Sequence, residues 1–169
     1  MKSLGLGGSC HWCTEGVFSS LIGVFEVEQG WISSLAPDDD LSEGIVLKYD
    51  SAVINIAQLV AVHLHSHSCT SEHSMRRKYR SAVYYTDGEQ RDEIRSSLEA
   101  GQKEFSLAII TRDLPLVHFK LNEEEFLDYY HRNPDKPFCR TYVKPKLRKI
   151  MARYPEIMDA QQTAHIAAE

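Results

Sequence analysis

The sequence predicts one α+β domain. Short runs with alternating apolar and polar residues read as strands, and they are interspersed with helical patterns of unequal length. The chain has 169 residues and is 43% hydrophobic, enough to bury a core without staples. The expected domain spans residues 1–154, with a tail over 155–169.

The elements follow in order. "SLGLGG" (3–8) reads as a short buried strand ending in glycines. "TEGVFSSLIGV" (14–24) reads as a helix capped by Thr14, with Val17, Phe18, Leu21 and Ile22 on one face. "FEVEQGWIS" (25–33) and "GIVLKYD" (44–50) alternate as strands do. "SAVINIAQLVAVHLHS" (51–66) places Ile56, Leu59, Val60 and His63 at helical spacing. "RSAVYYT" (80–86) is a β-rich run, and an Asp cap then opens a polar helix over 87–105, with Ile94 and Leu98 inward. "SLAIITRD" and "LPLVHFK" are read as two more short strands. "NEEEFLDYYHRN" (122–133) is read as a helix whose acidic first turn suits the helix dipole. Pro134 and Pro137 interrupt the chain, a basic helix follows over 144–154, and "DAQQTAHIAAE" is expected to be loose.

A net charge of −5 argues against general binding to nucleic acid or to anionic membrane surfaces. No apolar run approaches the roughly 20 residues of a membrane span, and the N-terminal apolar stretch ends too early for a secretory core. A cytoplasmic protein is expected. There thiols stay reduced, so a close cysteine pair points to catalysis or metal binding before a structural disulfide.

That pair is Cys10 and Cys13 in "GGSCHWC". Cys10 falls between a strand and a helix N-terminus, where free N–H groups favour a thiolate. Trp12 adds an apolar face suited to a small apolar group beside an electrophilic atom. The residues alone leave redox catalysis, thiol–disulfide exchange and metal binding open. "HLHSHSCTSEH" (63–73) supports the last, because His67 and Cys69 could join Cys10 and Cys13 around zinc. Its spacing matches no strong zinc signature, and the favoured reading requires neither metal nor cofactor.

The cysteine segment resembles the active-site signature of the A-class peptide methionine sulfoxide reductases, Gly-Cys-Phe-Trp-Gly followed by Glu and an aromatic. Cys10, Trp12, Glu15 and Phe18 fall on its positions. "GWISS", "SEGIVLKYDSAVI", "KYRSAVYYTDGEQRD" and "NPDKPFCRTYVKPKL" resemble further family segments in the same order. The resemblance implies a ferredoxin-like α/β sandwich. It also implies reduction of the S epimer of methionine sulfoxide, with Cys10 as the nucleophile that becomes a sulfenic acid. Glu43 would protonate the leaving oxygen, Tyr79 would hydrogen-bond it, and Trp12 would wall the pocket for the substrate methyl group. The reductant implied is thioredoxin or a similar dithiol.

Several positions depart from the family pattern. His11 replaces the phenylalanine that forms the second wall of the methyl pocket, Cys13 replaces a glycine, and Trp31 replaces a tyrosine. Ser74 falls near the family's aspartate, with Glu72 the nearest acid, and Phe126 stands where a histidine is usual. Cys13, nearest in sequence, or else Cys139 in the C-terminal region, is expected to resolve the sulfenic acid on Cys10. The alternatives are a thiol–disulfide oxidoreductase or a thiolate–imidazole metal-binding protein on the same scaffold.

Overall fold

Strand β1 (Lys2–Gly7) leads through Gly8 and Ser9 into helix α1 (His11–Phe18). The computed structural model describes residues 1–169. Strands β2 (Val24–Ser33) and β3 (Ser42–Tyr49) follow, then helix α2 (Ile56–His65), strand β4 (Ala82–Tyr85) and helix α3 (Gly88–Gln102). Two short edge strands, β5 (Arg112–Pro115) and β6 (His118–Leu121), complete a sheet of order β5-β4-β1-β3-β2-β6. The central strands β4, β1, β3 and β2 are antiparallel to their neighbours, and β5 joins β4 in parallel. This is the β-α-β-β-α-β arrangement of the ferredoxin-like sandwich.

Alternation along the strands sorts the sheet into two faces. Leu4, Leu6, Ile45, Leu47 and Val83 pack into the main core with α1, α2 and α3, represented by Phe18, Leu59 and Ile94. Ile32, Ala82 and Tyr84 form a small cluster of their own. Asn55 caps α2 with a reciprocal capping box through Gln58, and Asp87 caps α3 as expected. Thr14 does not cap α1. The helix begins three residues earlier with Cys10 at the N-cap, and the Thr14 hydroxyl donates back to Cys10 O at 3.2 Å.

Two other expectations change for identifiable reasons. The strand expected over 106–113 starts only at Arg112, because Ile109 N–H donates to Gln102 Oε1 and Ile110 N–H to Cys69 O, away from any ladder. The helix expected over 122–133 splits into a 3₁₀ turn (Glu124–Phe126) and helix α4 (Tyr129–Arg132). Asp128 between them has φ +51°, and the N–H groups of Asp128 and Tyr129 donate to the Glu15 carboxylate. A partner from α1 thus replaces intrahelical acceptors.

Beyond Pro137 the chain makes a π-helical turn (Cys139–Val143), helix α5 (Lys144–Arg153), a 3₁₀ turn (Pro155–Ile157) and helix α6 (Ala160–Ala167). The segment expected to be a loose tail is therefore docked. Asp159 caps α6 while its own N–H donates to Ser20 O, Tyr130 OH pairs with His165 Nε2, and Ile166 is 6% exposed. Ile166 closes a second apolar cluster with Cys13, Tyr130, Cys139, Val143 and Leu147. Ile166→Ala is expected to lower unfolding free energy by about 2 kcal/mol, read by urea denaturation. A loose tail would leave it unchanged.

Candidate active site

Cys10 is half-buried at the N-cap of α1, with φ −51° and ψ 132°. Cys13 lies one turn along the same helix. The neighbouring Cys13 thiol, burial and the nearby Glu43 charge push the Cys10 thiol upward, against the Trp12 backbone N–H, which favours its thiolate. The neighbouring Cys10 thiol pulls Cys13 below its ordinary value, against burial. The two thiols therefore titrate as a pair.

Both cysteines line an open cavity of about 410 Å³, with Tyr79, Met75, Phe138 and Tyr142 among its walls. The loop that supplies Met75 and Tyr79 is clamped over the site by Arg76, which donates to Gly8 O (2.7 Å), Tyr79 O (2.9 Å), Ser71 O and Ser68 O. Gly8 sits at φ +156° under the His67 ring, and a Cβ there would meet the ring at 2.6 Å. Only glycine lets the strand end pass so close beneath the loop.

Glu43 lies behind the cysteine at 4% exposure. Its Oε1 is 3.3 Å from both His11 N and His11 Nδ1, and its Oε2 is 3.5 Å from Lys78 Nζ. The Glu43 charge also bears on Tyr79. Cys10, Glu43 and Tyr79, far apart in sequence, are thus brought together. Lys78, whose ammonium also lies 5.3 Å from the Tyr79 ring centroid, was not anticipated.

The aromatic residues around the cysteines pack on one another. Trp12 is stacked on Tyr129 (centroids 4.0 Å apart, 7° between planes) and meets the edge of Phe138. His11 is 5% exposed and packs edge-on against Trp31 at 5.4 Å. None of His11, Trp12 and Trp31 lines the cavity beside Cys10. Trp12 is half-buried and touches Phe138, which lines that cavity, while His11 is buried beside it.

Cys139 is fully buried in the same apolar cluster as Cys13, with Cys10 at its margin, whereas Cys69 belongs to the main core. Cys13 and Cys139 therefore share one apolar cluster with Cys10 packed against it. No three His, Cys, Asp or Glu side chains converge as a metal-holding group. His67, weighed as a ligand, is engaged by His63 O (2.6 Å) and Ser81 Oγ (2.8 Å).

Comparison with known proteins agrees with this geometry. The family model described as peptide methionine sulfoxide reductase matches residues 2–157. Peptide methionine sulfoxide reductase MsrA of Campylobacter jejuni (strain RM1221) is 30% identical over 164 residues, covering 90% of this chain and 99% of that protein. The crystal structure of reduced Mxr1 from Saccharomyces cerevisiae superposes with a TM-score of 0.73 at 21% identity, over 83% of this chain and 90% of that one. Mxr1 has also been solved in complex with Trx2, and that structure matches with a TM-score of 0.61 at 20% identity, over 73% and 82%.

The buried imidazoles beside the site give the fold a pH dependence. His63 Nε2 donates to Gly7 O at 2.7 Å, so Nδ1 is a bare acceptor, and it has no partner. Protonation would bury an unmatched donor, and burial lowers His63 to about 4, with Arg76 adding to the effect. Burial and the neighbouring His63 also hold His67 well below its ordinary value. Unfolded histidine titrates near 6.5. The unfolded chain therefore binds more protons as pH falls, so this stability is full above about 6.5 and is lost down to about 4. The expected loss from His63 alone is about 3 kcal/mol between those limits, read by urea denaturation at pH 7 and pH 4. His63→Asn should show a correspondingly flatter pH dependence.

Proposed function

The chain belongs to the peptide methionine sulfoxide reductase family, and we propose that it reduces the S epimer of methionine sulfoxide through a sulfenic acid on Cys10. The observation that carries this reading is a Cys10–Cys13 pair on the wall of an open cavity shared with Tyr79, with the buried Glu43 carboxylate held by the adjoining His11 N–H. Met75, Phe138 and Tyr142 give the cavity an apolar side for the substrate side chain.

The Cys10 thiolate attacks the sulfoxide sulfur while Glu43 delivers a proton to the oxygen and the Tyr79 hydroxyl hydrogen-bonds it. The oxygen passes to Cys10, methionine leaves, and Cys10 is left as a sulfenic acid. Cys13 then attacks the Cys10 sulfur. Water departs and a Cys10–Cys13 disulfide forms. The lowered Cys13 thiol supplies the attacking sulfur. Cys139, in the adjoining cluster, is the second candidate. An external dithiol restores both thiols. Thioredoxin is the reductant we propose, as Mxr1 forms a complex with Trx2.

NADPH-coupled turnover of an S-sulfoxide methionine peptide, with thioredoxin and its reductase, tests the scheme. Cys10→Ser should be inactive. Cys13→Ser should release one methionine per enzyme and then stop cycling, while Cys139→Ser should cycle. Full cycling by Cys13→Ser with arrest in Cys139→Ser would transfer the resolving role to Cys139.

A further inference from the structure

The wall of the Cys10 cavity carries no aspartate or glutamate, although the chain as a whole has a net charge of −5. It carries one fixed cation, Lys146. The other basic group in the wall is His73, whose Nδ1 accepts from the Met75 N–H at 3.2 Å, so its ring is neutral in this arrangement. Glu43 is not part of the wall, and it is already faced by the His11 N–H and by Lys78.

The cations around Lys146 on α5 have partners. Lys144 pairs with Asp135 and Glu169, Arg148 pairs with Glu169, and Arg153 reaches Glu104 at 3.1 Å. Lys146 has no carboxylate within ion-pair distance. Lys149 has none either, but it is exposed and does not line the cavity. Lys146 is half-buried. A half-buried ammonium without a counter-charge is destabilising, and a carboxylate brought by a ligand would relieve it. Its charge is close enough to the thiols to bear on Cys13.

Its position follows from the chain. Lys146 comes four residues after Tyr142, so both project from one side of a continuous helical run. Tyr142 packs on Phe138 at 4.9 Å and is 55% exposed, and Met75 across the cavity is 49% exposed. These side chains form the rim. A peptide whose sulfoxide reaches Cys10 must pass its backbone over that rim. Beyond Phe138 lies a second cation without a carboxylate partner, Lys136, at 4.0 Å from the Tyr129 ring centroid.

We propose that Lys146 is a specificity-determining residue, and that the substrate this cavity favours is an acidic peptide, with a glutamate or aspartate beside the methionine sulfoxide paired to the Lys146 ammonium. A lysine beside the sulfoxide would meet repulsion and find no carboxylate in the wall. The proposal deepens the reductase reading and rests on it.

The test compares kcat/KM for methionine release from three peptides of equal length, with blocked termini and with alanine, glutamate or lysine on both sides of an S-sulfoxide methionine. This step precedes the attack by Cys13, so resolution does not enter. The glutamate peptide should exceed the alanine peptide by roughly fivefold, the size of a partly exposed ion pair, and the lysine peptide should fall below it. The spread should shrink in about 0.5 M salt. Lys146→Met should bring the three values together, and Lys146→Glu should invert their order, a change that misfolding cannot produce. Equal values for the three peptides in the wild type would overturn the proposal. So would an unchanged order in Lys146→Glu, or an equal loss on all three peptides in Lys146→Met with the spread kept. Release from none of the peptides by the wild type, the alanine peptide included, would instead remove the reductase reading and the proposal with it.

Discussion

A carboxylate buried in the interior must be hydrogen-bonded or the fold loses several kcal/mol. Glu15, at 3% exposure on α1, meets that constraint with three donors from outside its own helix: Gln29 on β2 and the N–H groups of Asp128 and Tyr129. Burial lifts its pKa while these donors oppose the lift. Much of the site's architecture follows from satisfying this one group. Tyr129, held by its backbone, stacks on Trp12. Gln29, held by its amide, orients Asn122, whose amide faces His11 Nε2. The stacking of Trp12 and the placement of Asn122 beside His11 are thus tied to the same buried charge.

The chemistry in front of that floor depends on proximity. Two thiols sit one turn apart at the head of a helix, where the Trp12 N–H favours a thiolate on Cys10. The pair faces an open cavity on one side and the apolar cluster of Cys139, Val143 and Leu147 on the other. Glu43 adds a negative charge that resists a thiolate, and Lys78 at 3.5 Å offsets it. Where the family has an aspartate in this loop the chain has Ser74. The Glu43 carboxyl is instead held by the His11 backbone N–H and balanced by Lys78 next to Tyr79. The departures seen in sequence around the site are therefore physically connected.

Much of the fold was legible because its elements obey local rules. The alternation in β1 to β4, the helical spacing in α2 and the Asp87 cap all concern neighbours in sequence. Cys10, Glu43 and Tyr79 could be named from motif resemblance and Cys13 from its spacing to Cys10, and the structure brings them close. What could not be read was decided by long-range partners. The helix over 122–133 breaks because Glu15 takes two of its N–H groups. The segment over 155–169 orders because Ser20 and Tyr130 receive it. Trp12 stacks on Tyr129 and His11 Nε2 faces Asn122, partners more than a hundred residues away. Lys78 alone had a usable signal, as a cation adjoining the tyrosine already singled out.

The most direct test of the organising role of Glu15 is to measure, on one Glu15→Gln preparation, both its unfolding free energy and its single-turnover release of methionine from an S-sulfoxide peptide. The amide would turn an N–H toward a backbone donor that now meets a carboxylate oxygen, so at least one of the three bonds is lost. If Glu15 organises the site, stability and the rate of methionine release fall together, and the rate stays low in the fraction that remains folded. A folded Glu15→Gln protein that releases methionine at the wild-type rate would show that Trp12, His11 and Glu43 hold their places without it.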